Sequence, residues 1–366
     1  MRSTSKTWVV LGLLIASLWM SGCGKKNTSP TLSKGEGANT HHPSSNTQYP
    51  TPDTQFFDEV RLPMTEVKKQ GNSQFCWIYA MLGTIETEHI VQGDSVSLSA
   101  DYLIRQYLAE QTRYYFLSKG RHPIRQRGMA TMALRLLQRY GAEPTHALRP
   151  KADADYGVVA RKLTQMARMQ YSLADVNRRA EELLDEATGF LPNRVFMLGA
   201  EYTPLEFAHS VCRKDEYIAL TSFTHHPFGQ PFVLEVPDNQ WGDTFLNVSI
   251  DTLMRRIDQS LRTGHPVCWE GDITEPGFSF KKGVAVITEH LSPTTQIQKQ
   301  RQCEFERRLT TDDHCMVLIG IAHDTQGRRY YLAKNSWGTH NPYGGLMYLS
   351  EDYLRLKTIC VVLSEK

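Results

Sequence analysis

The chain has 366 residues, 40% of them hydrophobic and 22% charged, enough to bury the core of one large domain or of a domain with an insertion. Its formal net charge is +2, and residues 1–22 hold Arg2, Lys6 and no acid, so the remainder is neutral. With no basic run interleaved with aromatics, that balance argues against a nucleic-acid partner.

Arg2 and Lys6 precede the apolar stretch "WVVLGLLIASLWM" at 8–20, short for a membrane span, which predicts an export signal over residues 1–22. The stretch runs into "MSGC", which resembles a bacterial lipobox with Met20 where leucine is usual. That resemblance implies that Cys23 is acylated as the first mature residue, making a membrane the partner of the chain through a lipid anchor. Each buried methylene of such an anchor is worth ~0.8 kcal/mol. An ordinary signal peptide with an incidental cysteine is the alternative. Gly24, rather than the aspartate that favours inner-membrane retention, leans the expectation towards an outer membrane. Residues 24–55 are rich in Ser, Thr, Asn, Pro and Gly and nearly devoid of aliphatics, so with Cys23 they predict a flexible anchor and linker over 23–55. Within it, His41-His42 is read as a solvated pair.

The folded domain is expected to span 56–366. Ile78, Met81, Leu82 and Ile85 recur at helical spacing and predict a helix over 76–90. Further helices are predicted near 99–116 and 129–140, the latter with Met129, Met132, Leu136 and Tyr140 on one face. The amphipathic, charged segments 152–170 and 173–188 predict a helical insertion, and 249–264 predicts another helix that runs into the strand-like "HPVCWEGDI". Beyond it, "HCMVLIGIAH", "RRYYLAKNSW", "GLMYLS" and "TICVVL" are short β-rich runs punctuated by Gly, Asn, Asp and Pro. Helices first and an antiparallel sheet afterwards make an α+β arrangement with a cleft between the halves.

Seven cysteines are widely spaced with no CxxC pair, so neither a zinc ribbon nor a dense disulfide framework is indicated. One bridge among Cys212, Cys268, Cys303 and Cys360 stays open. Cys76 stands apart from these, in "QGNSQFCWIYA", at the start of a predicted helix. The positive end of a helix stabilises thiolate over thiol, which makes this cysteine a candidate nucleophile. Such a nucleophile needs a base, an orienting group and oxyanion donors. His314 opens one predicted strand and Asn335 ends the next, joined by a turn over Asp324–Gly327, so adjacent antiparallel strands bring the two side chains within hydrogen-bonding reach. Asn335 then accepts from one imidazole nitrogen and leaves the other for the sulfur. Gln70 supplies an amide beside the Cys76 backbone N–H for an oxyanion hole. Strand alternation places Cys315 opposite His314, away from the cleft. His225-His226, ahead of Pro227, are read as surface residues and not as ligands.

"QGNSQFCWIYA", "DDHCMVLIG" and "KNSWG" resemble the papain-fold cysteine peptidases, with Gln70, Cys76, His314 and Asn335 in family order. The bleomycin hydrolase/aminopeptidase C branch is closer still, on "SQFCW", "GMATMALRLLQRYGAEP", "TPLEF", "HHPFGQPF" and "GHPVCWEGDI". His314 follows Cys76 by 238 residues, a separation in keeping with that branch's helical insertion, here about 150–200. The resemblance covers Glu59 to Leu363 and implies a papain-like fold, helical in its left half and an antiparallel β-sheet in its right. It also implies peptide or protein substrates, no metal or organic cofactor, an acyl-enzyme intermediate and possible aminopeptidase action, with Trp77 and Trp337 supporting the site. Gln74 stands where the branch has glycine. The branch also has a C-terminal arm that enters the cleft; with Lys366 three residues past the last predicted strand, no such arm is expected here. Its hexameric organisation is not carried over, which leaves the oligomeric state open. A catalytically inactive peptide-binding lipoprotein and a cell-wall peptide hydrolase are the competing expectations.

Overall fold

In the computed structural model, residues 55–148, 154–197, 199–288 and 296–365 are described, and all belong to one compact unit, Asn46–Lys366. The expected export signal, Cys23, His41-His42 and the linker up to residue 54 lie outside the described residues. Among the described residues no helix is long and apolar enough to cross a membrane.

Strand β1 (Phe56–Arg61) is followed by helix α1 (Cys76–Val91). A helix apolar on all sides belongs in a core, and α1 buries Trp77, Ile78, Met81, Leu82 and Ile85 together with the polar Thr84, Glu86 and Glu88. Helices α2 (Ala100–Leu117) and α3 (Ala130–Tyr140) pack beside it, α2 starting where the Ser99 hydroxyl accepts the Tyr102 N–H at 3.2 Å. Met129 is the residue before α3 rather than part of its face.

Helices α4 (Tyr156–Arg168) and α5 (Leu173–Thr188) fall inside the 150–200 segment, each capped by a preceding acceptor, Asp155 and Ser172. Helix α5 docks on α2 through buried Arg105, whose guanidinium donates to Glu181 and Asp185 at 2.6 Å each. A hairpin of β2 (Val195–Met197) and β3 (Ala200–Tyr202) leads to α6 (Pro204–Val211). Sequence periodicity missed α6, although "TPLE" carries its start signal: Thr203 and Glu206 form a reciprocal capping box with Pro204 in the first turn.

The second half comprises β4 (Tyr217–Thr221), β5 (Pro231–Val233), β6 (Thr244–Asn247), α7 (Ile250–Arg262), β7 (Val267–Gly271), β8 (Phe278–Ser279), β9 (Val284–Ala285) and α8 (Ile297–Glu306). It closes with β10 (His314–Asp324), β11 (Arg329–Lys334), β12 (Leu346–Ser350), α9 (Glu351–Lys357) and β13 (Thr358–Ser364). The sheet order is β5-β6-β4-β13-β7-β10-β11-β12-β9-β8, with β1 added along the second half of β10. Pairing is mainly antiparallel, as expected, with two short parallel pairs, β12 with β9 and β4 with β6. Strand β10 is buried on both faces, which is why it reads as a continuous apolar run without alternation. Helix α1 crosses it so closely that a Cβ on Gly83 would meet Val317 Cγ2 at 3.1 Å.

Among the described residues, several buried side chains depart from the general satisfaction of polar atoms, and Glu143 does so with both carboxyl oxygens. Glu143 is fully buried after α3, neither carboxyl oxygen has a partner, and burial pushes its pKa from 4.5 up to about 7. A carboxyl raised in the folded state contributes stability that is full below its unfolded value and is lost as pH rises through the folded value. Glu143→Gln is therefore expected to match the parent near pH 4 and to gain about 1–3 kcal/mol above neutrality. Thermal midpoints measured across that range check it, and a constant offset at every pH would refute the assignment.

Candidate active site

The segment before α1 is tied down at both ends. Buried Glu86 accepts Lys68 Nζ at 2.5 Å, the Thr65 hydroxyl at 2.5 Å and the Leu98 N–H at 2.7 Å, fixing residues 65–68 against α1. The Gln70 N–H donates to Ser336 C=O at 2.8 Å, and Lys69 pairs with Trp337 as an isolated bridge, so this segment is also latched to the chain after β11. Gly71 then takes a left-handed φ of +65°, and the turn closes through Ser73 Oγ donating to Gln70 C=O at 2.7 Å. On the far side, the Trp77 indole N–H donates to Gln126 C=O at 2.9 Å and the Gln74 N–H to Gln126 Oε1 at 3.2 Å. Gly128 lies against the Trp77 ring, leaving no room for a Cβ.

Cys76 is thus held as the first residue of α1. No side chain caps that helix end and no acid sits in its first turn, so its positive end faces the cavity uncompensated. The cavity is about 300 Å³ and holds Gln70, Cys76, His314 and Trp337 along its wall, so helical and sheet halves meet at one cleft. Gln74 lines it as well, at an exposed position.

His314 opens β10, is 3% exposed, and has its Nε2 2.9 Å from Asn335 Oδ1. That oxygen also accepts the Ser336 N–H at 2.7 Å, which sets the amide orientation and makes His314 Nε2 the donor. Nδ1 is left as the acceptor, in the cavity that His314 and Cys76 both line. Trp337 covers the histidine with ring centroids 4.7 Å apart. Gln70 is anchored by Nε2 donating to Ser73 C=O at 2.6 Å and Oε1 accepting from Ser336 Oγ at 2.6 Å. An amide nitrogen carries two hydrogens, so one remains for a ligand in the cavity.

The Cys76 thiol is held well below the ordinary thiol range. The largest cause is a hydrogen bond from the Cys315 side chain, which burial opposes; the charge and hydrogen bond of His314 follow. This corrects the expectation that Cys315 points away from the cleft. Alternation along β10 holds, but the face shared by Cys315 and Val317 is the one against α1, as the Gly83–Val317 approach shows, and α1 carries Cys76. His314 reaches the same cavity from the open end of the strand.

Three carboxylates that sequence reasoning did not assign also line the cavity: Asp238, Asp312 and Asp313, set against Arg127. Arg127 Nε donates to both Asp238 oxygens at 2.9 and 2.8 Å, and its Nη2 to Asp312 C=O at 2.6 Å. Burial pushes Asp238 up to about 7 against the pull of this guanidinium. The run "DDHC" signalled two of the three, whereas Asp238 lies outside the recognised motifs. Of the four cysteines among which a bridge stayed open, Cys212, Cys268 and Cys360 carry buried thiols with no bridge between them. His225 Nε2 and His226 Nε2 lie 3.1 and 2.7 Å from the two carboxyl oxygens of Glu235. Taken together, a depressed thiol, an imidazole with a set tautomer and convergent amide donors can carry out nucleophilic acyl transfer.

Residues 193–366 match the Peptidase C1-like family. The chain is 22% identical over 367 aligned positions to aminopeptidase G of Lactobacillus delbrueckii subsp. lactis, covering 84% of this chain and 82% of that protein. It superposes on the crystal structure of PepW from Lactobacillus rhamnosis with a TM-score of 0.65 at 18% identity, over 84% of this chain and 82% of that one. The likeness to PepW shows a shared fold.

Proposed function

We propose that this chain is a papain-like cysteine peptidase that cleaves peptide bonds through a Cys76–His314–Asn335 triad with Gln70 as oxyanion donor, a reading supported by the Peptidase C1-like match over residues 193–366 and by the likeness to aminopeptidase G. The observation that carries the reading is the His314 Nε2–H bond to Asn335 Oδ1 at 2.9 Å, which presents the other ring nitrogen to the Cys76 sulfur.

The Cys76 thiolate attacks the scissile carbonyl carbon, and the carbonyl oxygen gains the negative charge. The second Gln70 amide hydrogen and the Cys76 backbone N–H receive that charge. Protonated His314 gives its Nδ1 proton to the departing amine as the tetrahedral species collapses to a thioester. His314 then takes a proton from water, which attacks the thioester and restores the thiol. Asn335 keeps the ring from turning throughout, and Trp337 keeps water from their hydrogen bond.

The finer proposal is removal of amino-terminal residues. It is supported by the activity in the name of aminopeptidase G and by a cavity whose three carboxylates outnumber its one guanidinium, a field that suits a protonated α-amine. Digestion of a peptide library with free and with acetylated amino termini tests it. Stepwise trimming of the free peptides alone is expected. Cleavage of both sets inside the chain would leave an endopeptidase, and cleavage of neither by a protein whose Cys76 reacts with a thiol alkylator would refute the peptidase reading.

A further inference from the structure

The mechanism above uses one of the two thiols in the cavity. Cys315 is 2% exposed, lines the same cavity as Cys76, and sits on the β10 face that α1 covers. We infer that Cys315 is a resolving thiol, so that peroxide converts the nucleophile into a reversible Cys76–Cys315 disulfide that switches the site off and protects it from irreversible oxidation. The loss of activity rests on the peptidase reading; the disulfide itself does not.

The two thiols are unequal in the way such chemistry requires. Cys76, held ionised, is the sulfur that reacts with an oxidant, because thiolates and not thiols are oxidised by peroxide. Cys315 keeps its proton: burial, the hydrogen bond to Cys76 and the charge of Glu270 all push it upward. In the first step Cys76 sulfur attacks one peroxide oxygen, the O–O bond breaks, and the departing hydroxide takes a proton to become water. The sulfur is oxidised to a sulfenic acid and the peroxide is reduced. That step removes the negative charge beside Cys315, and with it two of the influences that held its proton.

In the second step Cys315 loses its proton, its sulfur attacks Cys76 sulfur, and the S–O bond breaks. The hydroxide leaves with that proton as a second water. The balance is two thiols and one hydrogen peroxide giving one disulfide and two waters. Both residues border the same cavity from facing elements, α1 and β10, so closure to an S–S length of ~2.05 Å calls for side-chain rotation and an approach of the two sulfurs. The cavity admits a molecule the size of hydrogen peroxide. Without a resolving thiol, a sulfenic acid continues to sulfinic acid, which reductants do not reverse.

The test is mass mapping of the folded chain after hydrogen peroxide, with remaining thiols alkylated on denaturation. A linked pair of peptides carrying Cys76 and Cys315 is expected, absent after dithiothreitol. Cys315→Ala is expected to give sulfinic acid at Cys76, with about tenfold less activity recovered by dithiothreitol than in the parent. Cys315→Ser provides the same comparison should alanine disturb the packing, and Cys268→Ala, which alters another buried thiol, should leave the linkage in place. Sulfinic acid at Cys76 in the parent, with Cys315 still alkylated, would overturn the inference. A linkage that forms in a protein inactive on every peptide would refute the peptidase reading and leave this inference standing.

Discussion

Cys76→Ala is expected to lower kcat/KM by roughly 10⁵-fold, His314→Ala by a similar factor, and the double variant by no more than either alone. The physical reason is that sulfur and imidazole act as one unit: an imidazole with no thiol has nothing to serve, and a thiol without it lacks the proton donor for the leaving amine. Cys76→Ser is expected to be nearly as damaging, because a hydroxyl does not ionise at the pH where a depressed thiol does. The Cys76 substitutions remove few atoms from the first turn of α1, so near-parent thermal midpoints should accompany their losses. Steady-state kinetics on a shared peptide, beside melting curves, decide the matter. Losses that multiplied in the double variant would mean that Cys76 and His314 contribute independently, against the proposed mechanism.

Gln70→Ala is the second large effect. Removing one oxyanion donor costs about 10²–10³-fold in kcat, with little change in KM, because the charge it meets exists only in the transition state. Gln70 also accepts from Ser336 Oγ and donates to Ser73 C=O, so truncation alone would mix a catalytic with a structural loss. Gln70→Glu restores one of the two structural contacts while still losing the hydrogen bond to Ser73 C=O. It keeps the acceptor for Ser336 and replaces the donor with a negative charge, so kcat should fall at least as far as in the alanine variant. Recovery of kcat by glutamate would assign Gln70 a structural role only.

Local signals carried much of this molecule. Helices α2, α4, α5 and α7 announce themselves by apolar spacing behind Ser99, Asp155, Ser172 and Ser249, since a cap and a buried stripe are both properties of contiguous residues. The pairing of His314 with Asn335 was legible for a related reason: one turn, Asp324–Gly327, sets the register of the two strands that carry them. The two-residue strands β8 and β9 and the weakly patterned α8 were not legible, because such short or irregular pieces are stabilised by neighbours and not by their own pattern.

The chemistry divides along the same line. The residue order by itself determined that a cysteine would begin a buried helix and that a histidine would meet an asparagine across a hairpin, because both depend on interactions between near neighbours in the chain. Only the tertiary structure decided that Cys315 faces the nucleophile and that Asp238 and Arg127 share the cavity. A strand buried on both faces has no outward side for its pattern to mark, so which face meets α1 is settled by the packing of two halves whose contacts lie far apart in sequence.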